Sequence, residues 1–544
     1  MKNLHRYPLK MLKKLLPLLC LPLLLSSCAA LLGGMLGEMG SSEPPPDYEF
    51  EYENTGEISF IILQMNDVYE IAPLENKTVG GMARVATVRN RLMEENFNVL
   101  TVHAGDFLNP SLIGTLKYED QPIKGRQMVE VMNELGVNVV AFGNHEFDLK
   151  EHELQQRMDE SYFDWIGTNV LHKSGNKLEP FYKSSYGIKY FSPESFIWDV
   201  TDYASGQTIK VGFYSATINS NPQPWVYYED PYQEATKAFL SLKNEADVIL
   251  GLTHLSLEQD MKMASILPET VLIMGGHEHE NSRDTVGNVV ITKADANAKT
   301  VYIHRFTYNP LTKKTTVESE LIPITNEIPD DETVRAIVDK WQEIQDEKIA
   351  EVFPNADEVI YQSSVYLDGR ESSVRTEQTN LAGLIAAGMA ASLKKKADCA
   401  VFNGGSIRLD DQLIGDITPV DIFRAMPFGG AIYEIDIKGS VLKRALNAGL
   451  ENTGIGGYLQ WHNIQYDEAS KTWKINGQPL VDTKVYHIAS SDYLAKGKEE
   501  RLDFFNEKNF VKLDIPNPTD EADLRNDIRR AVVAYLKTLS QRKE

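Results

Sequence analysis

Apolar residues fall in short, nearly unbroken runs along the first half of the chain, at residues 58–65, 99–103, 137–142, 211–215, 248–252 and 271–274. Longer stretches of amphipathic, helix-like spacing separate them. Strand-length runs alternating with helical patterns predict an α/β domain. Residues 330–351 have helix spacing, mixed charge and acidic residues in the first turn, which predicts a helix connecting this domain to the C-terminal part of the chain. A second α/β region is expected from about residue 363 to residue 539. With 544 residues the chain exceeds what one hydrophobic core comfortably serves, so two domains and a connector account for its length.

The N-terminus reads differently. Lys2, Arg6, Lys10, Lys13 and Lys14 precede an apolar run from Leu15 to Leu25, too short to span a bilayer stably but suited to a secretory signal. It ends in Leu25-Ser26-Ser27-Cys28, which resembles the lipobox of bacterial lipoproteins. That resemblance implies cleavage after residue 27 and lipidation of Cys28, hence an exported, membrane-anchored protein. Residues 28–57, with Pro44-Pro45-Pro46 and an acidic stretch, read as a tether. Cys20 leaves with the signal and Cys28 is modified, so Cys399 alone remains and no internal disulfide is expected. Loss of residues 1–27 removes five positive charges and no negative ones, taking the formal charge from −23 to −28. Such acidity argues against a nucleic-acid polymer as partner, because that affinity comes mainly from Lys and Arg on phosphates.

Candidate chemistry sits where the apolar runs end: Asn66-Asp67, Gly105-Asp106, Gly143-Asn144-His145-Glu146, His254 and Gly276-His277-Glu278-His279. Open α/β sheets place ligands at the carboxyl ends of their strands. A lone Asp in a turn is usually a backbone cap and a lone His usually structural, but five such sites on successive strand ends point to metal chemistry. In this order the pattern resembles the calcineurin-like metallophosphoesterases, and Gly143–Asp148 with Gly275–His279 is similar to the bacterial 5′-nucleotidase branch. The resemblance implies a four-layer α/β/β/α catalytic domain over residues 58–328, a linker helix over 329–354 and an α/β substrate-binding domain over 355–544. It further implies two divalent metal ions bridged by Asp106, with Asp67 and His279 on one and Asn144, His254 and His277 on the other. Zn, Mn or Co suits such a mixture of carboxylate, amide and imidazole donors. Two ions of this kind hold a bridging hydroxide for in-line displacement at phosphorus. His145 and Asp148 resemble the catalytic dyad, and Glu146 reads as structural or supporting. One residue departs from the pattern: Tyr69 stands where the family usually has His. Either the first metal loses a ligand or the Tyr69 phenolate replaces it, which favours iron there.

In the second region, Asn403-Gly404-Gly405-Ser406-Ile407-Arg408 resembles the family's phosphate-approach signature, and Arg375 and Asn380 lie in a second family motif. Glycines let the backbone approach an anion, and Arg offers a planar fork for phosphate. Tyr458 and Tyr493 occupy the positions of rings that clamp a base, a stacking worth ~1–3 kcal/mol per ring. The ribose-binding loop departs from the family in reading Gly497-Lys498-Glu499-Glu500-Arg501, with Glu499 in place of the usual Asp. The expected substrate-binding set is therefore Arg375, Asn403, Gly405, Arg408, Tyr458, Tyr493 and Glu499. The chain is expected to hydrolyse phosphate esters of small nucleotides outside the cytoplasm, with 2′,3′-cyclic phosphodiesterase or UDP-sugar hydrolase activity within the family's range. A phosphoesterase for a non-nucleotide ester, or a non-catalytic surface-binding lipoprotein keeping the fold, are the alternatives. Oligomeric state is not legible in the sequence.

Overall fold

The near-continuous apolar runs become parallel strands buried on both faces, the environment in which strands lose the alternation of a half-exposed sheet. The computed structural model describes residues 56–541 apart from 76, 221, 354, 357 and 410, so the signal segment, Cys28 and nearly all of the tether lie outside the described residues. One six-stranded sheet has the order Lys314–Pro323, Thr300–Asn309, Ile58–Met65, Val99–His103, Val139–Ala141, Asp164–Ile166. The last four run parallel and the first two are added antiparallel. A second sheet has the order Ser195–Asp202, Gln207–Thr217, Val248–His254, Leu272–Gly275, Val289–Lys293, Ser282–Val286. Its four inner strands are parallel, with one antiparallel strand at each edge.

The two sheets stack face to face. Phe60, Leu100 and Val139 from the first meet Val211, Phe213, Leu250 and Leu272 from the second in one buried layer. Helices Met82–Glu95 and Arg126–Leu135 cover the outer face of the first sheet, and Pro231–Leu242 and Leu257–Ile266 that of the second. The result is the expected α/β/β/α stack. Because strands of both sheets end at one rim, the loops after Met65, His103, Ala141, His254 and Gly275 converge there.

The connector helix Glu332–Val352 starts where Asp331 accepts hydrogen bonds from the backbone N–H groups of Thr333 and Val334. It is not a free strut. Val334, Val338, Trp341 and Ile344 are part of the first domain's core, and Trp341 Nε1 donates to Glu130 at 3.0 Å. The second domain has a five-stranded mixed sheet in the order Leu459–His462, Cys399–Asn403, Val485–Ser491, Ile432–Lys438, Lys512–Asp514. Helices Asn380–Ala391 and Ile528–Gln541 pack on one face and Gly439–Glu451 on the other.

Candidate active site

At the rim of the first domain the sequence-predicted donors come together. Ligand atoms of Asp67, Asp106 and His254, all buried, lie within 4.8 Å of one another. Asp67 Oδ2 accepts from Asn66 Nδ2 and from the His277 backbone N–H, each at 2.9 Å. Asp106 Oδ1 accepts from the His145 N–H at 2.8 Å, and its Oδ2 lies 3.1 Å from His254 Nε2. His254 Nδ1 is 2.7 Å from the Ala104 carbonyl, which can only accept, so the ring proton sits there and Nε2 is the nitrogen that faces Asp106. His279 Nε2 stands 3.7 Å from Asp67 Oδ1. The Tyr69 hydroxyl donates to Asp106 Oδ2 at 3.2 Å and is 3.3 Å from His279 Nε2, which puts it inside the set rather than beside it.

The backbone at these ligands is strained into place. Asp67, Asp106 and His277 have φ of 52°, 62° and 82°, the left-handed region that non-glycine residues rarely occupy and that clusters at functional sites. Two neighbours must be glycine: a Cβ on Gly143 would lie 2.1 Å from Asp106 Oδ1, and one on Gly276 would lie 2.5 Å from the Ala104 carbonyl oxygen. Glu146 is wholly buried and accepts backbone N–H groups of Asp106, Phe107 and Gly143 at 2.7–2.8 Å, so it shapes the loop carrying Asp106, as its supporting assignment anticipated.

Three buried atoms, Asp67 Oδ1, Asn144 Oδ1 and, in the ring protonated at Nδ1 alone, His254 Nε2, have no hydrogen-bond partner. Leaving a buried polar atom unsatisfied costs ~1–3 kcal/mol, and what these three lack in common is a cation. The charges agree. Burial raises the Asp67 carboxyl to about 6 against the pull of His254 and His279. Burial opposes charge on His254 too, but Asp106 and Asp67 lift it to about 9, so a proton there stands in for positive charge the carboxylates demand. Burial and the neighbouring His254 hold His277 near 3, a neutral imidazole ready to coordinate. The residues present fit divalent metal.

Beside this cluster, His145 Nδ1 bonds Asp148 Oδ2 at 2.6 Å, and Asn109 Nδ2 donates to the same oxygen at 3.2 Å. Burial disfavours the imidazolium, yet Asp106 and Asp148 more than offset it and raise His145 above its ordinary value.

The second domain faces this rim directly: Ser372 Oγ donates to Glu280, next to His279, at 3.3 Å. Arg375 and Arg408 lie 2.5 and 3.8 Å from the two carboxylate oxygens of Glu371, so that acid sits between the paired guanidinium groups. The charge of Arg408 is felt at both His145 and Asp148. Asn403 Nδ2 donates to Glu499 Oε1 at 2.7 Å, joining two of the expected substrate contacts. Gly405 packs on Gly456, where a Cβ would come within 2.8 Å of its Cα. The two tyrosines differ: Tyr493 is 44% exposed, whereas Tyr458 is 5% exposed and hydrogen-bonded to Gln378. Asn380 caps locally, donating to the Tyr366 carbonyl and accepting from the Asp368 N–H, which is a structural role.

Sequence reasoning missed three residues. Glu371 was signalled by its helical spacing four before Arg375. Lys293, fully buried, bonds the carbonyls of Leu255 and Gly276 at 2.5 and 2.6 Å and pairs with Asp260 at 2.9 Å, buttressing the loops of His254 and His277. Tyr228 packs edge-on against Phe147, between His145 and Asp148, with its buried hydroxyl unpartnered; nothing in the sequence marks it.

Comparison with known proteins agrees with this geometry. Residues 60–281 match the calcineurin-like phosphoesterase profile and residues 359–507 the 5′-nucleotidase C-terminal domain. The chain is similar to the trifunctional nucleotide phosphoesterase protein YfkN of Bacillus subtilis, 27% identical over 468 residues, which is 76% of this chain and 30% of that longer protein. It is 25% identical over 537 residues to the 5′-nucleotidase of Vibrio cholerae, covering 87% of each. The fold resembles the crystal structure of a 5′-nucleotidase precursor from Thermus thermophilus with a TM-score of 0.70, 23% identity, and coverage of 89% of this chain and 97% of that one.

Proposed function

The chain belongs to the 5′-nucleotidase family, a calcineurin-like phosphoesterase domain followed by a 5′-nucleotidase C-terminal domain, and from that premise we propose that it releases phosphate from nucleotides outside the cytoplasm using two metal ions. That it is a metal-dependent phosphoester hydrolase follows from the family. The observation that carries the finer reading is the set of unpartnered buried atoms Asp67 Oδ1, Asn144 Oδ1 and His254 Nε2, together with an arginine pair on the other domain of which Arg408 acts on His145.

Asp106 would be shared between the ions, Asp67 and His279 completing one site with Tyr69 alongside, and Asn144, His254 and His277 the other. When bound, such ions acidify water into a nucleophile and neutralise charge at phosphorus. The chain's own groups do the rest. Arg375 and Arg408 bind the phosphoryl oxygens through planar forks once substrate displaces Glu371. His145, oriented through Nδ1 by Asp148, presents Nε2 to protonate the leaving alkoxide. Tyr493 stacks on the base, Asn403 and Glu499 meet the ribose, and Gly405 lets the backbone approach.

Anchoring through a lipid on Cys28 belongs to the same proposal and is supported by the Leu25-Ser26-Ser27-Cys28 motif. Cys28→Ala should leave the membrane fraction; retention there would refute the anchor. A second reading, hydrolysis of a non-nucleotide ester, is favoured by one observation: of the two tyrosines expected to clamp a base, Tyr458 is packed away and Tyr493 alone is exposed. A phosphate-release screen with Zn, Mn, Co, Mg and Fe over AMP, other nucleotides, 2′,3′-cyclic nucleotides, UDP-glucose and p-nitrophenyl phosphate separates the two. Preference for nucleotides supports the first reading, and turnover confined to base-free esters supports the second.

A further inference from the structure

Exposed apolar side chains gather at the end of the first domain opposite the metal rim. Among the described residues of that domain, the four most exposed large apolar side chains are Tyr186, which is fully exposed, and Leu311, Tyr162 and Tyr203, exposed by 92%, 84% and 67%. The topology sends all four to that one end. Tyr162 stands two residues before the strand Asp164–Ile166, whose far end is at the rim. Tyr203 is in the turn that leads into Gln207–Thr217, and its ring meets that of exposed Phe97, two residues before Val99–His103, at 5.8 Å. Leu311 is in the turn between Thr300–Asn309 and Lys314–Pro323, where Tyr308 pairs with Ile58 at the start of its strand.

Tyr186 reaches this end on a hairpin of two strands, Tyr182–Ser185 and Ile188–Phe191. The chain leaving the hairpin is held at the rim end of Asp164–Ile166, where the Gly167 N–H donates to the Pro193 carbonyl at 3.1 Å. The strand entering the turn is held at the opposite end: Lys183 Nζ donates to the Phe163 carbonyl at 2.7 Å, and the Ser184 N–H donates to Asp159, near the end of the helix Glu151–Glu160, at 2.6 Å. The tip therefore points away from the rim, with Tyr186 and Gly187 at φ of 50° and 78°, as a two-residue hairpin turn requires. Ile188 and Tyr190 on one face of the hairpin and Phe191 on the other are exposed as well, so its tip is apolar all round.

These side chains are tips on separate turns rather than the lining of one groove, which suits a soft phase better than a folded partner. Tyrosine, apolar in its ring and polar at its hydroxyl, settles at the headgroup level of a membrane. Acids beside the tips are already engaged: Asp159 by the Ser184 N–H, Asp202 by the Ser205 N–H at 2.9 Å, Glu160 by Arg157 at 2.8 Å, and Asp164 lies 3.9 Å from Lys183. Lys189 and Lys313 are exposed in the same hairpins as Tyr186 and Leu311 and suit lipid phosphate. The chain leading back to Cys28 also joins the domain here, at the start of Ile58–Met65. We propose that this end of the first domain rests on a phospholipid surface, with Tyr162, Tyr186, Tyr203 and Leu311 in the headgroup region and the metal rim turned toward the solution. The inference rests on the anchored reading, which supplies the membrane; by itself the contact is weak and reversible and does not hold the chain in a membrane fraction.

The test is sedimentation of residues 29–544, which keep every element described above and lack the lipidated cysteine, with phosphatidylcholine vesicles. Binding that rises with lipid and reverses on dilution is expected. Tyr162→Ser, Tyr186→Ser and Leu311→Ser combined should weaken it about tenfold or more. Tyr366→Ser, which removes a ring of the second domain exposed by 59%, should leave it unchanged. An unchanged thermal melt reports that both variants fold. No vesicle binding, an equal loss in Tyr366→Ser, or unchanged binding in the triple variant would overturn the contact. So would dimers in solution that the triple variant abolishes, which would assign this end to a second copy of the chain. Because Cys28 is absent throughout, these failures leave the lipid anchor untouched, and the anchor stands or falls on fractionation of Cys28→Ala.

Discussion

His145 gathers the chemistry at the residue scale, because its ring reports both the carboxylate behind it and the reaction in front. The form that donates a proton is the imidazolium, and Asp148 helps hold that form above the ordinary 6.5. Activity carried by it should therefore persist through neutral pH and fall as pH rises through the folded-state value. Asp148→Asn should move that alkaline limb of kcat to lower pH, and an unmoved limb would show that Asp148 does not tune the ring. His145→Ala should slow AMP and p-nitrophenyl phosphate alike, by ~10²–10⁴. Glu371 makes a contrasting prediction: if its carboxylate competes with substrate phosphate for Arg375 and Arg408, Glu371→Gln should lower KM for AMP several-fold with little change in kcat. A raised KM would mean instead that Glu371 positions the arginines. The candidate donors and the His145–Asp148 pair stood out in the sequence because few residue types do this chemistry and their order along the chain is distinctive; the structure brings Asp67, Asp106 and His254 together and pairs His145 with Asp148. Glu371 was less legible because an acid four residues before an arginine usually marks only a surface helix pair.

Elements decide how accurately those residues are held. Five strand ends were readable as apolar runs because strands buried on both faces carry little else. Their limits shifted by a few residues: the strand expected over 211–215 extends over Gln207–Thr217, since edge pairing with Ser195–Asp202 recruits polar residues. The buttress below the loops could not be read, because Lys293 reaches the carbonyls of Leu255 and Gly276 only after two strands far apart in sequence are set side by side. Lys293 is a buried ammonium facing Asp260 and Glu278, so removing it strands those carboxylates, a loss of ~3–5 kcal/mol. Lys293→Met should thus lower thermal stability and weaken metal binding by about tenfold or more, the usual scale when a group that supports metal ligands is removed. Loss of stability with metal affinity intact would confine Lys293 to a structural role.

Across the whole molecule, one domain holds the candidate metal donors and the other holds Tyr493 and the arginines proposed to bind phosphate. The sequence distinguishes the two regions by their motifs but does not assign the connector, because the amphipathic face of Glu332–Val352 does not reveal which core receives it; Trp341 buries it in the first. The two tyrosines expected to clamp a base are not equivalent in the fold, since Tyr458 is buried beside Gln378 while Tyr493 is exposed. Tyr493→Ala should raise KM for AMP while leaving p-nitrophenyl phosphate nearly unchanged, because a remote contact and a chemical group fail differently in kinetics. Equal losses on both substrates would make that ring structural.

The central claim is that Asp106 joins two metal ions into one phosphoesterase centre. It is tested most directly by stripping the protein of metal and following phosphate release from AMP while Mn or Zn is returned in counted amounts. Activity should be absent at the start, climb to its maximum at two ions per chain, and fail to recover in Asp106→Asn at any stoichiometry. Full activity without metal, saturation at one ion per chain, or an active Asp106→Asn would contradict the account.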